Sequence, residues 1–345
     1  MKSIKIYLSI LFGIFFLASC EKEIEFKGEI TEPLIVVNCF ITPDSVMTAH
    51  VSESRFFLVD NVTFRNVKNA DVSVWVNGVF KEKMSFVENG IYKGTYAPVI
   101  GDSIKLVVKV PTMKDVSCEE LISPQPEIIS IDTTDLWTGQ TYNIQYGSQT
   151  TNGGQTTYTN DTIATVTGHQ IDYTLKFKDN GNEKNFYRLV VMTKEHYFTI
   201  DTTTSDTTTV IRDNYYFSFT DVVSGNNANN DPLSMGDFSA NNEYNVFSDE
   251  LFNGKTYSLT FTTNEDVYNY KADYPYGREM PGKKVVNIYL QNISKSYYLY
   301  LKSRPAALNG NGFFSEPVQI HNNITGGIGI LGSYTPSNVK TIELK

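Results

Sequence analysis

The chain has 345 residues and a formal charge of −9, enough for about two domains of ordinary size. An acidic balance with no cluster of Lys and Arg excludes a nucleic-acid interface and a basic surface for anionic lipid. Charged residues make up only 19% of the chain while Tyr and Phe number 22 and 21, a composition that suits pleated, half-buried surfaces and points to an all-β fold.

Lys2 and Lys5 open the chain, an apolar run follows from Ile6 to Leu17, and Leu17-Ala18-Ser19-Cys20 closes it. This is a charged n-region, an h-region and a small-residue cleavage site, too short for a membrane span of about 20 apolar residues. The ending resembles a bacterial lipobox, in which the cysteine sulfur takes a diacylglyceryl group and the peptidase cuts before the cysteine. Cys20 is then the lipidated N-terminus; the alternative is an ordinary secretory signal with an incidental cysteine. Loss of residues 1–19 removes two lysines and leaves 38 acidic against 27 basic residues, a charge near −11. Residues 20–33 are the lipidated cysteine and a polar tether that spans at most about 45 Å when fully extended. Its charged start, Glu21-Lys22-Glu23, resembles the surface-export signal of Bacteroidota lipoproteins. That resemblance implies an outer-membrane lipoprotein exposed on the cell surface, with the periplasmic face as the alternative.

Residues 34–123 read as a small immunoglobulin-like β-sandwich. Leu34–Ile41 begins it, and Asp71–Val76 alternates cleanly before an Asn77-Gly78 hairpin turn. Strands over 91–96, 104–110 and 116–122 follow. Cys39 and Cys118 fall in the first and last of these strands; either they bridge or they stay as two buried free thiols. Ser123-Pro124-Gln125-Pro126 marks the boundary.

Residues 127–345 read as a larger, irregular β domain, with strands over 127–132, 170–178, 185–194, 214–221, 256–263 and 284–291. The Thr-rich stretches 148–162 and 201–210 are expected as long hairpin tips or disordered loops, and 224–242 as a further loop. Tyr297, Tyr298 and Leu301 recur at helical spacing behind Ser294, which predicts one substantial helix over 294–305, ended by Pro305. The glycines of Gly326-Gly327-Ile328-Gly329-Ile330 suggest a close backbone approach or a bulge, or a closing hairpin of the core, which is preferred.

The lipobox, the strand directly after the tether and the SEPVQIHNNITGGIGILGSY run after a Tyr-rich helix together resemble the domain of unknown function 4249 family of Bacteroidota lipoproteins. The resemblance covers nearly the whole mature chain. It brings no catalytic residues. Such lipoproteins are commonly encoded beside TonB-dependent outer-membrane transporters, which implies a transporter partner.

The residues themselves carry no reaction signature. His50, His169, His196 and His321 sit in no zinc spacing, and no GxSxG or P-loop occurs. Asp231 and Asp237 share an Asn-rich loop but match no calcium motif. The expectation is a non-catalytic accessory or binding protein with no cofactor and no metal. The alternatives are a structural or adhesive surface protein, and a glycan hydrolase built on paired carboxylates. Tyr268, Tyr270, Tyr274 and Tyr276 are candidate binding aromatics, with cross-strand packing preferred. Asp-Ser/Thr tripeptides resemble the O-glycosylation sequon of Bacteroidota exported proteins, with Ser45, Ser103, Thr133, Thr162, Thr202 and Thr207 as acceptors.

Overall fold

In a computed structural model the described residues are 32–55, 65–135, 141–201, 204, 206–224, 242–270, 280–309 and 319–344. The signal segment, Cys20, Thr202, Tyr274, Tyr276, Asp231 and Asp237 lie outside them. Of the described residues 60% are in strands and 6% in the helix, as the Tyr, Phe, Thr and Val content leads one to expect.

The first half supplies β1 (Ile35–Ile41), β2 (Thr48–Glu53), β3 (Arg65–Asn66), β4 (Asp71–Val76), β5 (Val79–Lys83), β6 (Ser85–Phe86), β7 (Ile91–Lys93), β8 (Ser103–Lys109) and β9 (Val116–Leu121). The second supplies β10 (Glu127–Asp135), β11 (Tyr142–Asn152), β12 (Gln155–Lys178), β13 (Phe186–Ile200), β14 (Thr207–Asn214), β15 (Val246–Ser248), β16 (Thr256–Tyr270) and β17 (Met280–Ile293). The helix α1 (Lys295–Asn309) and the strands β18 (Ile328–Pro336) and β19 (Lys340–Leu344) close the chain.

One eleven-stranded sheet runs through the molecule in the order β14-β13-β17-β18-β1-β2-β7-β6, with β15, β19 and β3 attached beside it. Two four-stranded sheets pack against its two halves. The sheet β5-β4-β8-β9 covers the first half, and Val37, Cys39 and Ile41 meet Val74, Leu106 and Cys118 in one core. The sheet of β10, β12, β11 and β16 covers the second half. There Tyr173, Phe177 and Phe261 pack with Tyr187, Leu189 and Ile288. The Tyr173 and Phe261 rings stack at 4.8 Å, a geometry that contributes about 1 kcal/mol beyond burial. The larger domain is thus a second sandwich.

The segment that ends the chain belongs to both cores. Ile324 and Leu331 are buried in the first, and β18 runs parallel to β1 from Val36–Ile328 to Ile41–Ser333. It then pairs antiparallel with the end of β17 through Gln291–Pro336. The glycine-rich run is therefore an inserted parallel strand and no hairpin. Gly329 has φ +122°, and a Cβ there would overlap the Val37 carbonyl; close backbone approach is the reason for that glycine. Ser333 Oγ donates to Leu121 O at 2.6 Å and Thr335 Oγ1 to Ser123 O at 2.7 Å, so the returning strand also fixes the linker.

Two further expectations change, and one open choice is settled. The stretch 214–221 is not a strand: the chain leaves the sheet after Asn214, and its backbone pairs with another strand at the isolated Ser218–Thr262 bridge. Asp221 holds it there, accepting from the Tyr257 hydroxyl at 2.6 Å and from Thr260 N at 2.9 Å. The Thr-rich stretches are paired hairpin arms, with Thr150 opposite Thr157 and Thr199 opposite Thr208. β-branched threonine supports extended backbone without a core to bury. The helix continues through Pro305 to Asn309. Pro305 is buried, so packing holds the last turn in place of the lost backbone bond. Ser294 caps the helix start as expected, its Oγ accepting from Tyr297 N at 3.2 Å.

Cys39 and Cys118 are both buried and free, which corrects the bridge in favour of two thiols. They face each other's sheets across one apolar core, where a thiol packs as a small hydrophobe. Burial pushes both pKa values up, that of Cys118 to about 12, so little reactive thiolate exists at neutral pH. A maleimide reagent should label neither thiol in native protein and both after unfolding without reductant. A loss of two hydrogens in the unreduced intact mass would contradict this arrangement.

Candidate binding surface

Strand polarity gives the molecule two distinct ends. The tether joins at Ile35, and Leu34 is fastened there by Leu34 N donating to Ser54 Oγ at 2.8 Å. From that root β1 and β18 run in one direction, and β17, antiparallel to β18, continues the line from Ile293 back to Met280. β13 follows the same direction, since Phe186 pairs with Ile293 and Phe198 with Met280. In the covering sheet, Lys178 pairs with Glu127 beside the linker, while Ala164 pairs with Tyr270 at the other end. β12 alone spans 24 residues, about 80 Å of extended chain.

The far end therefore gathers residues that are distant in sequence. The turn between Asn152 and Gln155, the turn between Ile200 and Thr207, and the end of β16 with Tyr268 and Tyr270 all lie there. Tyr268 and Tyr270 are half-buried on a strand with their rings 6.1 Å apart and nearly parallel, and Phe198 meets Tyr270 edge-on at 5.8 Å. The two rings neighbour each other along one strand, Phe198 reaches Tyr270 from the facing sheet, and both tyrosines are partly buried.

A groove of about 270 Å³ opens between the two sheets beside these tyrosines, lined by Asp266–Asn269, Gly282–Lys284 and Glu343–Leu344. Lys284 anchors its floor. Its Nζ lies 3.0 Å from Glu265 Oε2 and 3.6 Å from Glu195 Oε1, and Thr193 Oγ1 donates to Glu265 Oε1 at 3.3 Å. Burial works against the ammonium charge, but Glu265 and Glu195 outweigh it and hold the Lys284 pKa above its ordinary value. A raised lysine pKa stabilises the fold fully below the unfolded value of about 10.4 and loses that effect as pH rises through the folded one. Lys284→Met leaves Glu265, only 5% exposed at its side chain, without its cation. The expected cost is about 2 kcal/mol at pH 7, below the range for fully buried pairs because Glu195 retains some solvent. Equal urea midpoints for variant and wild type at pH 7 would show that the triad contributes nothing.

Sequence reasoning missed this groove, because Glu195, Glu265 and Lys284 share no motif and meet only through sheet packing. Among the described residues no group of three His, Cys, Asp or Glu could hold a metal, and no helix is long and apolar enough to cross a membrane. Of the sequon acceptors, Ser45, Thr133 and Thr207 are exposed and Thr162 is half-buried. Ser103 sits in β8 with its hydroxyl given to Glu119 Oε1 at 2.6 Å.

The family described as Domain of unknown function (DUF4249) matches residues 21–339. The chain belongs to this family. The match takes in the strands of both sandwiches as far as the inserted strand β18 and stops before β19. No curated protein matches the chain. Two solved structures are similar at a distance. One is of carbohydrate-binding modules from the β-sandwich superfamily, at 8% identity and TM-score 0.17, covering 70% of this chain and 97% of that one. The other is a putative membrane-anchored protein from Corynebacterium diphtheriae, at 10% identity and TM-score 0.19, covering 85% and 58%. At such scores neither carries an argument about this DUF4249 chain.

Proposed function

We propose that this DUF4249 protein is a lipid-anchored, non-catalytic binding protein on the outer surface of the outer membrane. Its partner is a TonB-dependent transporter or that transporter's ligand. The observation that supports this most is the polarity of the chain: the tether enters at one end, and the Thr-rich hairpins and Tyr268 and Tyr270 lie at the other. Paired hairpins present side chains on rigid backbone, so a partner meets a surface with little ordering entropy left to lose. Exposed Thr207 and Thr133 are the acceptors at which O-linked sugar is expected, as hexose increments in the intact mass of native protein.

The test is affinity isolation of the tagged full-length protein from outer membranes in mild detergent. A transporter should co-purify, and replacing 145–162 by a two-residue turn should remove it while membrane anchoring persists. Recovery of no transporter from cells that express one would overturn the partner. Loss of surface attachment with unchanged solute uptake in a deletion strain would instead favour an adhesive role.

A further inference from the structure

The face of the second sandwich that carries α1 holds two arginines with no acidic partner among the described residues. Six lysines elsewhere, Lys83, Lys109, Lys184, Lys194, Lys283 and Lys284, each lie within ion-pair distance of a carboxylate. Arg188 on β13 and Arg304 on α1 instead converge on Tyr244. Arg188 Nε donates to Tyr244 O at 3.2 Å, and its guanidinium lies 6.0 Å from the ring centre. The Arg304 guanidinium lies 5.7 Å from the same ring and donates to its hydroxyl. Directly opposite Arg188 on β17 is Gln291, so the two side chains share this face. Gln291 is 7% exposed and its Oε1 has no hydrogen-bond partner. A buried amide oxygen left without a donor forfeits the hydrogen bond it made to water in the unfolded chain. Tyr297 and Tyr334 flank the position, their rings 6.3 Å apart.

These groups state what would satisfy them. Two half-buried guanidinium groups without a counter-ion attract an anion, and their planar forks suit a carboxylate. The Gln291 oxygen repels an anion and needs a hydroxyl or N–H donor. The tyrosine rings offer flat, amphipathic area. A sulfate supplies the charge without the donor, and a neutral sugar supplies the donor without the charge. We propose that this face binds an acidic sugar, its carboxylate on Arg188 and Arg304 and a ring hydroxyl donated to Gln291. The site uses neither the lipid anchor nor the far hairpins, so it stands or falls apart from the transporter proposal.

Calorimetry of the detergent-solubilised full-length protein tests it, with digalacturonate as the probe and neutral galactobiose and inorganic sulfate as controls. Digalacturonate should bind at least tenfold more tightly than either control. Arg304→Gln, on the partly open helix surface, should weaken it at least tenfold and leave the circular dichroism spectrum unchanged. Gln291→Leu, which removes the acceptor, should narrow the preference for digalacturonate over sulfate. Equal binding of the neutral disaccharide, no binding of digalacturonate to folded wild type, or an unchanged affinity in Arg304→Gln would each overturn the proposal. Should Gln291→Leu fail to fold, the Arg304→Gln comparison decides alone.

Discussion

Cys20→Ala is expected to abolish the proposed membrane attachment. The membrane-bound fraction should fall at least tenfold, with the protein appearing either as uncleaved precursor or as soluble material. Each buried acyl CH2 contributes about 0.8 kcal/mol, and one chain alone gives only marginal, reversible binding. The diacylglyceryl group proposed for Cys20 would supply two chains at a single sulfur, so its loss would leave no partial anchor. The tether cannot compensate: residues 21–33 hold acids and lysines and no apolar run, and the folded body begins at Ile35. Fractionation with detergent phase partitioning reads the result. A variant that stays in the outer membrane at wild-type level would show that the body is held by something other than lipid, and the proposed function would lose its anchor.

Gly329→Val parts the two sandwiches. Gly329 combines φ +122° with a Cβ position already occupied by the Val37 carbonyl, so a side chain meets both backbone strain and a steric overlap that rotamer change cannot relieve. The strand concerned sits between β1 and β17 and buries Leu331 in the first core. The expected cost is roughly 4 kcal/mol, at the upper end of single-substitution effects, or a fall in melting temperature of roughly 10 °C. Hydrogen exchange should rise at Val36–Ile41 and at Gln291–Ile293 together, because both segments lose the same ladder. Gly154→Ala provides the comparison. Its φ is +82° but nothing lies near its Cβ, so only the backbone effect of about 1 kcal/mol remains. A Gly329→Val melting temperature within about 2 °C of wild type would mean that the two halves do not depend on this strand.

Much of the secondary structure was legible because its signals are local. Alternation in Asp71–Val76, the Asn77-Gly78 turn and the Ser294 cap each act over a few residues, and all three appear where the sequence placed them. The elements misread were those where a local signal met a tertiary one. Low apolar content left hairpin tips and disordered loops both open for 148–162 and 201–210, and only the strand pairing of β11 with β12 and β13 with β14 decides for hairpins. Pro305 argued for a helix end, yet packing carries the helix past it. The glycines at 326–332 correctly announced close approach, but which backbone approaches is a fact about Val37, about 290 residues away in sequence.

The sequence by itself determined the β class and the family, because these rest on short contiguous patterns of strands and turns; the charged start, apolar run and lipobox carry the proposed address in the same local way. Tertiary structure alone decided that β18 closes the first sandwich, that Cys39 and Cys118 stay apart as thiols, and that the hairpins lie opposite the tether. It alone brought Lys284 to Glu265 and Arg188 to Arg304. Those arrangements depend on long-range pairing and sheet packing, whose register is set by burial across the whole chain and leaves no periodicity in any one stretch.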